Sequence, residues 1–326
     1  MTALPFAGTA LPEGWNVRRP TLDDLPAILA MVQASDMAAV GEADFTPDEV
    51  REALTDPGTD MSRDSWVVFD ETGTLVGWTY PHNTDGGDRD FIEVYVWPSR
   101  GLPAQRPLLE MIMARVAERG AELGHEIYRI RAGAVPIEKD YIELLTEAGF
   151  VFNRQHSRMR RSLDGVSPTP PAPPVGVTIR ELRHDDEAEM RRFHEVIEDA
   201  FRDTDHLAVD YDVWRRQVEA EPTKTWNEWL VALVDDEIAG ALQSVDGEDN
   251  EGFVRRLAVG RGHRRRGIGE ALLRHAFAVY AGNGREKAGL GVDMANPTRA
   301  VQLYLAVGLT PLYQANIYER SLDLRV

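Results

Sequence analysis

Apolar positions in the second half of the chain change period several times, and each change marks an element. Val177 to Glu181 reads as a strand, and Asp185 to Phe201 combines an acidic start with the recurring apolar positions of a helix. A shorter helix is predicted near Tyr211 to Val218. Trp229 to Val234 and Ile238 to Val245 are apolar, β-rich runs joined by Asp235-Asp236-Glu237, which predicts a hairpin. A strand from Phe253 to Val259, a helix from Gly269 to Tyr280 and a strand from Ala288 to Val292 come next. A helix from Pro297 to Val307 and a last strand near Tyr313 to Leu322 complete the series. Strands that meet as a hairpin and then alternate with helices predict an α/β (α+β) fold, a mixed β-sheet flanked by helices.

The first half follows the same order. Val17-Arg18 before Asp23-Asp24 returns as Ile179-Arg180 before Asp185-Asp186, an offset of 162. Leu75-Val76-Gly77 matches Ile238-Ala239-Gly240, and Val94-Tyr95-Val96 matches Leu257-Ala258-Val259, both at offset 163. Ala148-Gly149-Phe150 matches Val307-Gly308-Leu309 at 159. Four landmarks in register predict one fold used twice. Thr21 to Asp24 and Thr46 to Glu49 supply capping-box helix starts in the first copy. Between the copies lies VSPTPPAPPVG, whose prolines remove backbone donors and impose an extended path. The expected organisation is therefore a domain over 1–165, a linker over 166–176 and a domain over 177–326.

Composition narrows the chemistry. Against 36 Lys and Arg stand 54 Asp and Glu, a net charge of −18 that repels polyanions and argues against nucleic acid or an anionic membrane as partner. The chain has no Cys, which excludes disulfides, thiolate metal sites and a cysteine nucleophile. Its first fifteen residues lack a basic start followed by an apolar core, and no run of about 18 apolar residues occurs. A cytoplasmic protein is expected. No His pair has zinc spacing and no Asp-rich loop ends in the Gly and Glu of a calcium site, so no metal is expected. A G-x-S-x-G elbow is also missing.

The sharpest local feature is LAVGRGHRRRGIGEALL, where an apolar strand ending at Val259 runs through Arg264-Arg265-Arg266-Gly267-Ile268-Gly269 into a helix. Glycines let a phosphate approach the backbone, the first helical N–H groups point outward, and the macrodipole adds positive potential. A solvated basic loop would look the same in isolation. The run is neither a G-x-x-x-x-G-K-[ST] loop nor a full G-x-G-x-x-G fingerprint, because Leu272 stands at the third glycine.

With these residues the sequence resembles the GNAT superfamily of acyl-CoA-dependent N-acetyltransferases. Arg264, Gly267 and Gly269 fit the family's [QR]-x-x-G-x-[GA] signature, and Asn296, Ala300, Tyr304 and Gly308 fit a second spacing pattern further on. The resemblance implies two tandem GNAT-like domains, each a mixed, splayed sheet flanked by helices. It implies acetyl-CoA as co-substrate, with backbone groups of Leu257, Ala258 and Val259 holding the pantetheine arm. Backbone N–H groups from Arg265 through Arg266, Gly267 and Ile268 to Gly269 would hold the pyrophosphate, and Asn296 would sit near the arm. A proline common in the family two residues after the strand is Arg261 here.

By the same resemblance the Tyr304 hydroxyl would protonate the departing thiolate, which suits a phenol whose ordinary pKa is about 10. Packing offers a second reading of Tyr304, since it shares a helix face with Ala300 and Val301. Asn296 as N-cap, Pro297 at the first helical position and Gly308 beyond the end likewise have structural readings. For the base, Phe253 occupies the usual family position, and Glu251 has the same strand parity, so Glu251 is nominated. Asp246, Glu248 and Asp249 are its rivals. In the first copy the turn becomes Gly101-Leu102-Pro103-Ala104-Gln105-Arg106, Asn296 becomes Ile137 and Tyr304 becomes Leu145, so that copy is expected to be degenerate.

The expected function is transfer of acetyl from acetyl-CoA directly to a primary amine of a small molecule. Acetylation of a protein N-terminus or Lys, and a CoA-binding sensor without turnover, are the alternatives. Charge placement points to a cationic acceptor: Glu195 to Glu251 holds 17 acidic and 4 basic residues, and Gly252 to Val326 holds 5 acidic and 12 basic. Asp203, Asp205, Asp210 and Asp212 would form a negative rim. A second copy of the chain, as a homodimer, is a further candidate partner.

Overall fold

The computed structural model describes residues 10–325 except 44, 57, 84–86, 203–205, 207, 222, 248 and 295–299. Two compact units divide the chain, and the cut differs from the expected one. The first contains Met1–Gln155 with Gln314–Val326, and the second contains His156–Tyr313.

In the first copy the order is β1 (Asn16–Arg18), α1 (Leu25–Ala39), α2 (Pro47–Thr55), α3 (Met61–Asp64), β2 (Trp66–Phe69), β3 (Leu75–His82) and β4 (Arg89–Val96). Then come α4 (Leu102–Glu122), β5 (Ile127–Ala134), α5 (Lys139–Glu147) and β6 (Val151–Ser162). The second copy runs β7 (Thr178–Glu181), α6 (Glu187–Phe201), α7 (Tyr211–Ala220), β8 (Leu230–Val234), β9 (Glu237–Gly247) and β10 (Glu251–Val259). It ends with α8 (Ile268–Gly282), β11 (Lys287–Asp293), α9 (Ala300–Ala306) and β12 (Thr310–Asp323). Every element expected from the second half is present among the described residues, with ends displaced by a few residues; the expected start of α9 at Pro297 lies outside them.

Within each unit the first strands are antiparallel and the last crossover is parallel. β1 through β4 pair in sequence, and β4 lies parallel to β5. β7 through β10 pair in sequence, and β10 lies parallel to β11. The closing strand is where periodicity misleads. The neighbour of β5 is the chain's last strand, β12, in register from Asn316↔Ala134 to Asp323↔Ile127. The neighbour of β11 is β6, from Lys287↔Ser162 to Asp293↔His156. Each unit is thus completed by a strand that sequence order assigns to the other copy. The proline-rich run 166–176 lies inside the second unit, and Val166 packs on its core.

Apolar clusters cover both faces of each sheet. In the second unit one joins Leu272, Leu273, Ala276, Phe277 and Tyr280 of α8 to the strands. The other joins Met190, Phe193, Val196 and Ile197 of α6 and Trp214 and Val218 of α7 to the opposite face. The two arginines of the first-strand landmark play the same part, although their partners are not equivalent positions. Arg18 binds Asp24 through both carboxylate oxygens at 2.6 and 2.7 Å, and Arg180 binds Glu189 likewise at 2.6 and 2.8 Å. Paired in this bidentate way, each Arg fixes a strand end to a helix start. At the β8–β9 hairpin Asp235 and Asp236 both take positive φ, +51° and +65°, as a two-residue turn that matches strand twist requires. Among the described residues no helix is long and apolar enough to cross a membrane.

Candidate functional site

β10 and β11 pair only from Glu251↔Lys287 to Val254↔Leu290. Beyond that point β10 stays on β9 as far as Val259↔Gly240, while β11 stays on β6 as far as Asp293↔His156. The two parallel strands therefore part and leave a wedge. A bulge between Val254 and Arg256 in the β9–β10 ladder falls where they separate. An extra residue there inverts the facing of the strand. Val254 packs on the α8 side, and so do Leu257 and Val259, whereas Ala258 joins the α6–α7 side.

The turn that follows β10 has the backbone geometry that can hold an anion. Arg265 and Gly267 both have positive φ, +61° and +78°. Left-handed residues alternating with ordinary ones turn successive N–H groups toward one point. The first bond of α8 runs from the Ala271 N–H to the Gly267 carbonyl at 3.0 Å, which leaves the preceding N–H groups outside the helical ladder. The helix dipole adds to them. A Cβ on Gly267 would meet Pro174 at 3.4 Å, and one on Gly269 would meet Leu303 at 3.3 Å. Arg265, Arg266 and Gly267 are exposed, and the Ile268 side chain is buried beneath them.

The side chain of Arg264, the first residue of the signature, is turned onto the protein. Its Nε and Nη2 donate to the carbonyls of Val259 and Ala200, at 3.4 and 3.2 Å, so the side chain ties the turn to the end of α6. Its two carbonyl partners make it a brace of the cradle; the charges that face outward are those of Arg265 and Arg266.

Tyr304 lies on α9, only 9% exposed, and burial pushes its hydroxyl up to about 12, so it carries its proton at neutral pH. The helix ends as the spacing predicts. Gly308 takes φ +85°, with Leu309 N–H on the Tyr304 carbonyl at 3.0 Å and Gly308 N–H on the Leu305 carbonyl at 3.0 Å. Asn296 and Pro297 lie outside the described residues.

Glu251 requires a correction. It is wholly buried at the first position of β10, in the paired stretch that precedes the wedge. Arg158 pairs with one of its oxygens at very short range and Arg160 with the other at 3.2 Å. With both oxygens held by guanidinium groups from β6, it closes the narrow end of the wedge and has no open face for an acceptor. Its rivals fare no better, because Asp246 pairs with Arg285, Asp249 lies 3.4 Å from Lys287, and Glu248 is outside the described residues. A cleft of about 720 Å³ opens at that same end, among Arg160, Arg161, Arg285 and Lys287. It is remote from the turn, and Arg285 there is already paired with Glu228 and Asp246.

On the α6 side of β10 the structure gathers residues that pattern reading passed over. His194, Glu198 and His206 form a chain, with His194 Nε2 at 3.6 Å and His206 Nε2 at 2.9 Å from Glu198 Oε1. The only sequence signal was the four-residue spacing of His194 and Glu198. Of the expected rim, Asp210 caps α7 by accepting from the Asp212 N–H at 2.9 Å, and Asp212 pairs with Arg191 at 3.4 Å. Asp203 and Asp205 lie outside the described residues.

In the first unit β4 and β5 also part, after Ile92↔Ala132. The cradle is gone, because α4 starts at Leu102, the position that aligns with Arg265, so the residues of the turn are absorbed into a helix. Ala104 and Gln105 are buried there, and Pro103 has no N–H to offer.

Comparison with known proteins agrees with this geometry. Residues 190–309 match the model of the acetyltransferase (GNAT) family. The second unit carries a GNAT domain. A GCN5-related N-acetyltransferase from Sphaerobacter thermophilus superposes with a TM-score of 0.84 at 24% identity, over 97% of this chain and 98% of that one. A tandem GNAT protein from the clavulanic acid biosynthesis pathway gives 0.68 at 17% identity, over 96% and 99%. N-myristoyltransferase of Saccharomyces cerevisiae, solved with bound myristoyl-CoA, gives 0.57 at 13% identity, over 96% and 80%. No curated protein matches the sequence. The structural likenesses are of fold, and because they span the chain they extend the tandem GNAT fold to the first unit. Residues 190–309 are thus a GNAT acetyltransferase domain that carries the left-handed turn at Arg265 and Gly267, and the first unit has a GNAT fold without that turn.

Proposed function

We propose that the second unit binds acetyl-CoA along the wedge and passes its acetyl group directly to a primary amine of a small cationic molecule. The observation that carries this reading is the coincidence of two features, the parting of β10 from β11 and the left-handed turn at Arg265 and Gly267. Edges of Leu257, Ala258 and Val259 that β11 no longer pairs would take the amide-rich arm, and the cradle from Arg265 to Gly269 would take the pyrophosphate. Tyr304 would give its proton to the sulfur as the C–S bond breaks. No covalent enzyme intermediate is required, because the amine nitrogen attacks the thioester carbon itself.

Charge supports the acceptor class. From Gly252 to Tyr313, the part of the basic segment that lies within the second unit, 10 basic residues face 3 acidic ones, whereas Glu195 to Glu251 carries the excess of acid. A polyanion and a cation would thus be drawn to different sides of one unit. Thiol release from acetyl-CoA across a panel of mono- and polyamines, amino acids and peptides tests the reading. Turnover of small amines, with kcat/KM falling as salt rises, supports it. Binding without turnover would favour a sensor, and turnover of peptides alone would favour a protein acetyltransferase.

A further inference from the structure

We propose that His194 is the proton acceptor of the transfer, held in working orientation by Val209 and flanked by Glu198, which takes the acceptor's ammonium head. The inference rests on the acyl-transfer reading above, and it supplies the base that Glu251, locked between Arg158 and Arg160, does not.

Among the described residues four buried polar atoms on α6 and α7 have no hydrogen-bond partner: His194 Nε2, Glu198 Oε2, Trp214 Nε1 and Arg215 Nη1. Unmatched buried polar atoms are rare in folded proteins because each keeps the cost of its lost hydration, so a cluster of them calls for a ligand or a function. His194 is 6% exposed and Trp214 is 2% exposed. The imidazole is fixed by its neighbours, with its ring centre 4.8 Å from that of Trp214 and 5.6 Å from that of Tyr211.

Its tautomer follows from its bonds. The ring makes a backbone hydrogen bond to Val209, and since Nε2 has no partner, that bond belongs to Nδ1. An imidazole that donates through Nδ1 carries its lone pair on Nε2 when neutral. The lone pair is therefore on the buried nitrogen that no protein donor meets, 3.6 Å from Glu198 Oε1. The groups that set its charge come from four elements. Glu198 lies on α6, Asp210 and His206 on the segment before α7, Tyr211 on α7 and Arg256 on β10. Burial is the largest influence and lowers the His194 pKa below the ordinary histidine value, Arg256 acts in the same direction, and Glu198 and Asp210 oppose them. The ring is consequently neutral, and able to accept, at physiological pH.

Position relative to the wedge also fits. α6 packs on β9 and β10, and Ala258 shares the apolar cluster of Phe193, the residue before His194. Arg256, whose charge reaches His194, lies on the part of β10 that has left β11. An ammonium seated there meets two acceptors and no competing donor from this pair. One N–H proton passes to Nε2, directly or through one water. The freed nitrogen pair attacks the thioester carbon, the C–S pair moves to sulfur, sulfur takes the Tyr304 proton, the acylated nitrogen gives up its second proton through solvent to restore the Tyr304 hydroxyl, and His194 releases its proton to solvent after the product leaves.

The test replaces His194 with Asn, which keeps a donor for Val209 and removes the Nε2 lone pair. His275→Asn on α8 serves as the control. The full-length chain is assayed with an amine it turns over, from pH 5 to 9, and titrated calorimetrically with acetyl-CoA. The proposal expects His194→Asn to lose about 10²–10⁴-fold in kcat, to keep its acetyl-CoA affinity and to lose the acidic limb of kcat/KM, while His275→Asn retains all three. Glu198→Gln should raise the KM for the amine more than it lowers kcat. Turnover by His194→Asn within twofold of wild type, or an unchanged acidic limb, overturns the proposal and leaves the acyl-CoA reading standing. A loss of acetyl-CoA affinity equal to the loss of turnover would make His194 a structural residue. A wild-type chain that binds acetyl-CoA but acetylates no amine, or that does not bind it, would overturn the transfer reading and this inference together.

Discussion

Tyr304 joins a packing role to the chemistry proposed for it. Its ring fills a core position on α9, and the same burial that packs it raises its pKa to about 12, which keeps the hydroxyl protonated across the neutral range. Replacement by Phe keeps the ring and removes only the proton, so Tyr304→Phe should lower kcat by about 10²–10⁴-fold and leave acetyl-CoA affinity within twofold. Single-turnover kinetics with calorimetry of the same sample checks this, and unchanged chemistry would leave Tyr304 with its packing role alone. Burial of the opposite kind explains why Glu251 misled the sequence reading. Strand parity gave its facing correctly, but its partners Arg158 and Arg160 lie about ninety residues upstream, and parity carries no information about them. His194 escaped notice for a related reason, because a lone histidine on the apolar face of an amphipathic helix looks like core until its unmatched nitrogen is seen.

Among elements, those with strong local signals were legible in sequence. The Asp235-Asp236 hairpin, the Thr46 N–H bonded to Glu49 at 2.8 Å and the α8 start after Gly267 all appear where turn and cap residues place them. The loss of the cradle in the first unit was legible as well, since Pro103 and the missing second glycine favour a helix that begins a turn earlier. What periodicity could not reveal was the partner of a closing strand. β6 and β12 each read as the last strand of its own copy, because side-chain alternation reports a strand's facing and not the neighbour it pairs with. The arginines on β6 expose the consequence. Glu251→Ala removes the buried carboxylate that joins β10 to β6 and leaves two guanidinium groups without it, which should cost about 3–5 kcal/mol. Chemical denaturation of the full chain measures it, and a cost under about 1 kcal/mol would show that the pair contributes little.

At the scale of the whole molecule, the exchange of closing strands sets which pieces can fold. A fragment cut at the apparent domain boundary, 177–326, loses the β6 strand from β11, loses Met159 and Leu163 from its core, and leaves Glu251 buried without partners. Residues 156–313 contain all of these. The second fragment should therefore melt cooperatively and bind acetyl-CoA, and the first should not; equal circular dichroism melts for the two would contradict the assignment of strands. The claim on which the function depends is narrower, that the left-handed turn at Arg265 and Gly267 holds the pyrophosphate of an acyl-CoA. Asn and Asp have the same shape and both tolerate positive φ, so Gly267→Asn and Gly267→Asp differ by one negative charge in the cradle. Calorimetric titration of acetyl-CoA into the two variants is the direct measurement. The account predicts that Gly267→Asp binds at least about tenfold more weakly than Gly267→Asn, a difference of about 1.4 kcal/mol, and equal affinities would contradict it.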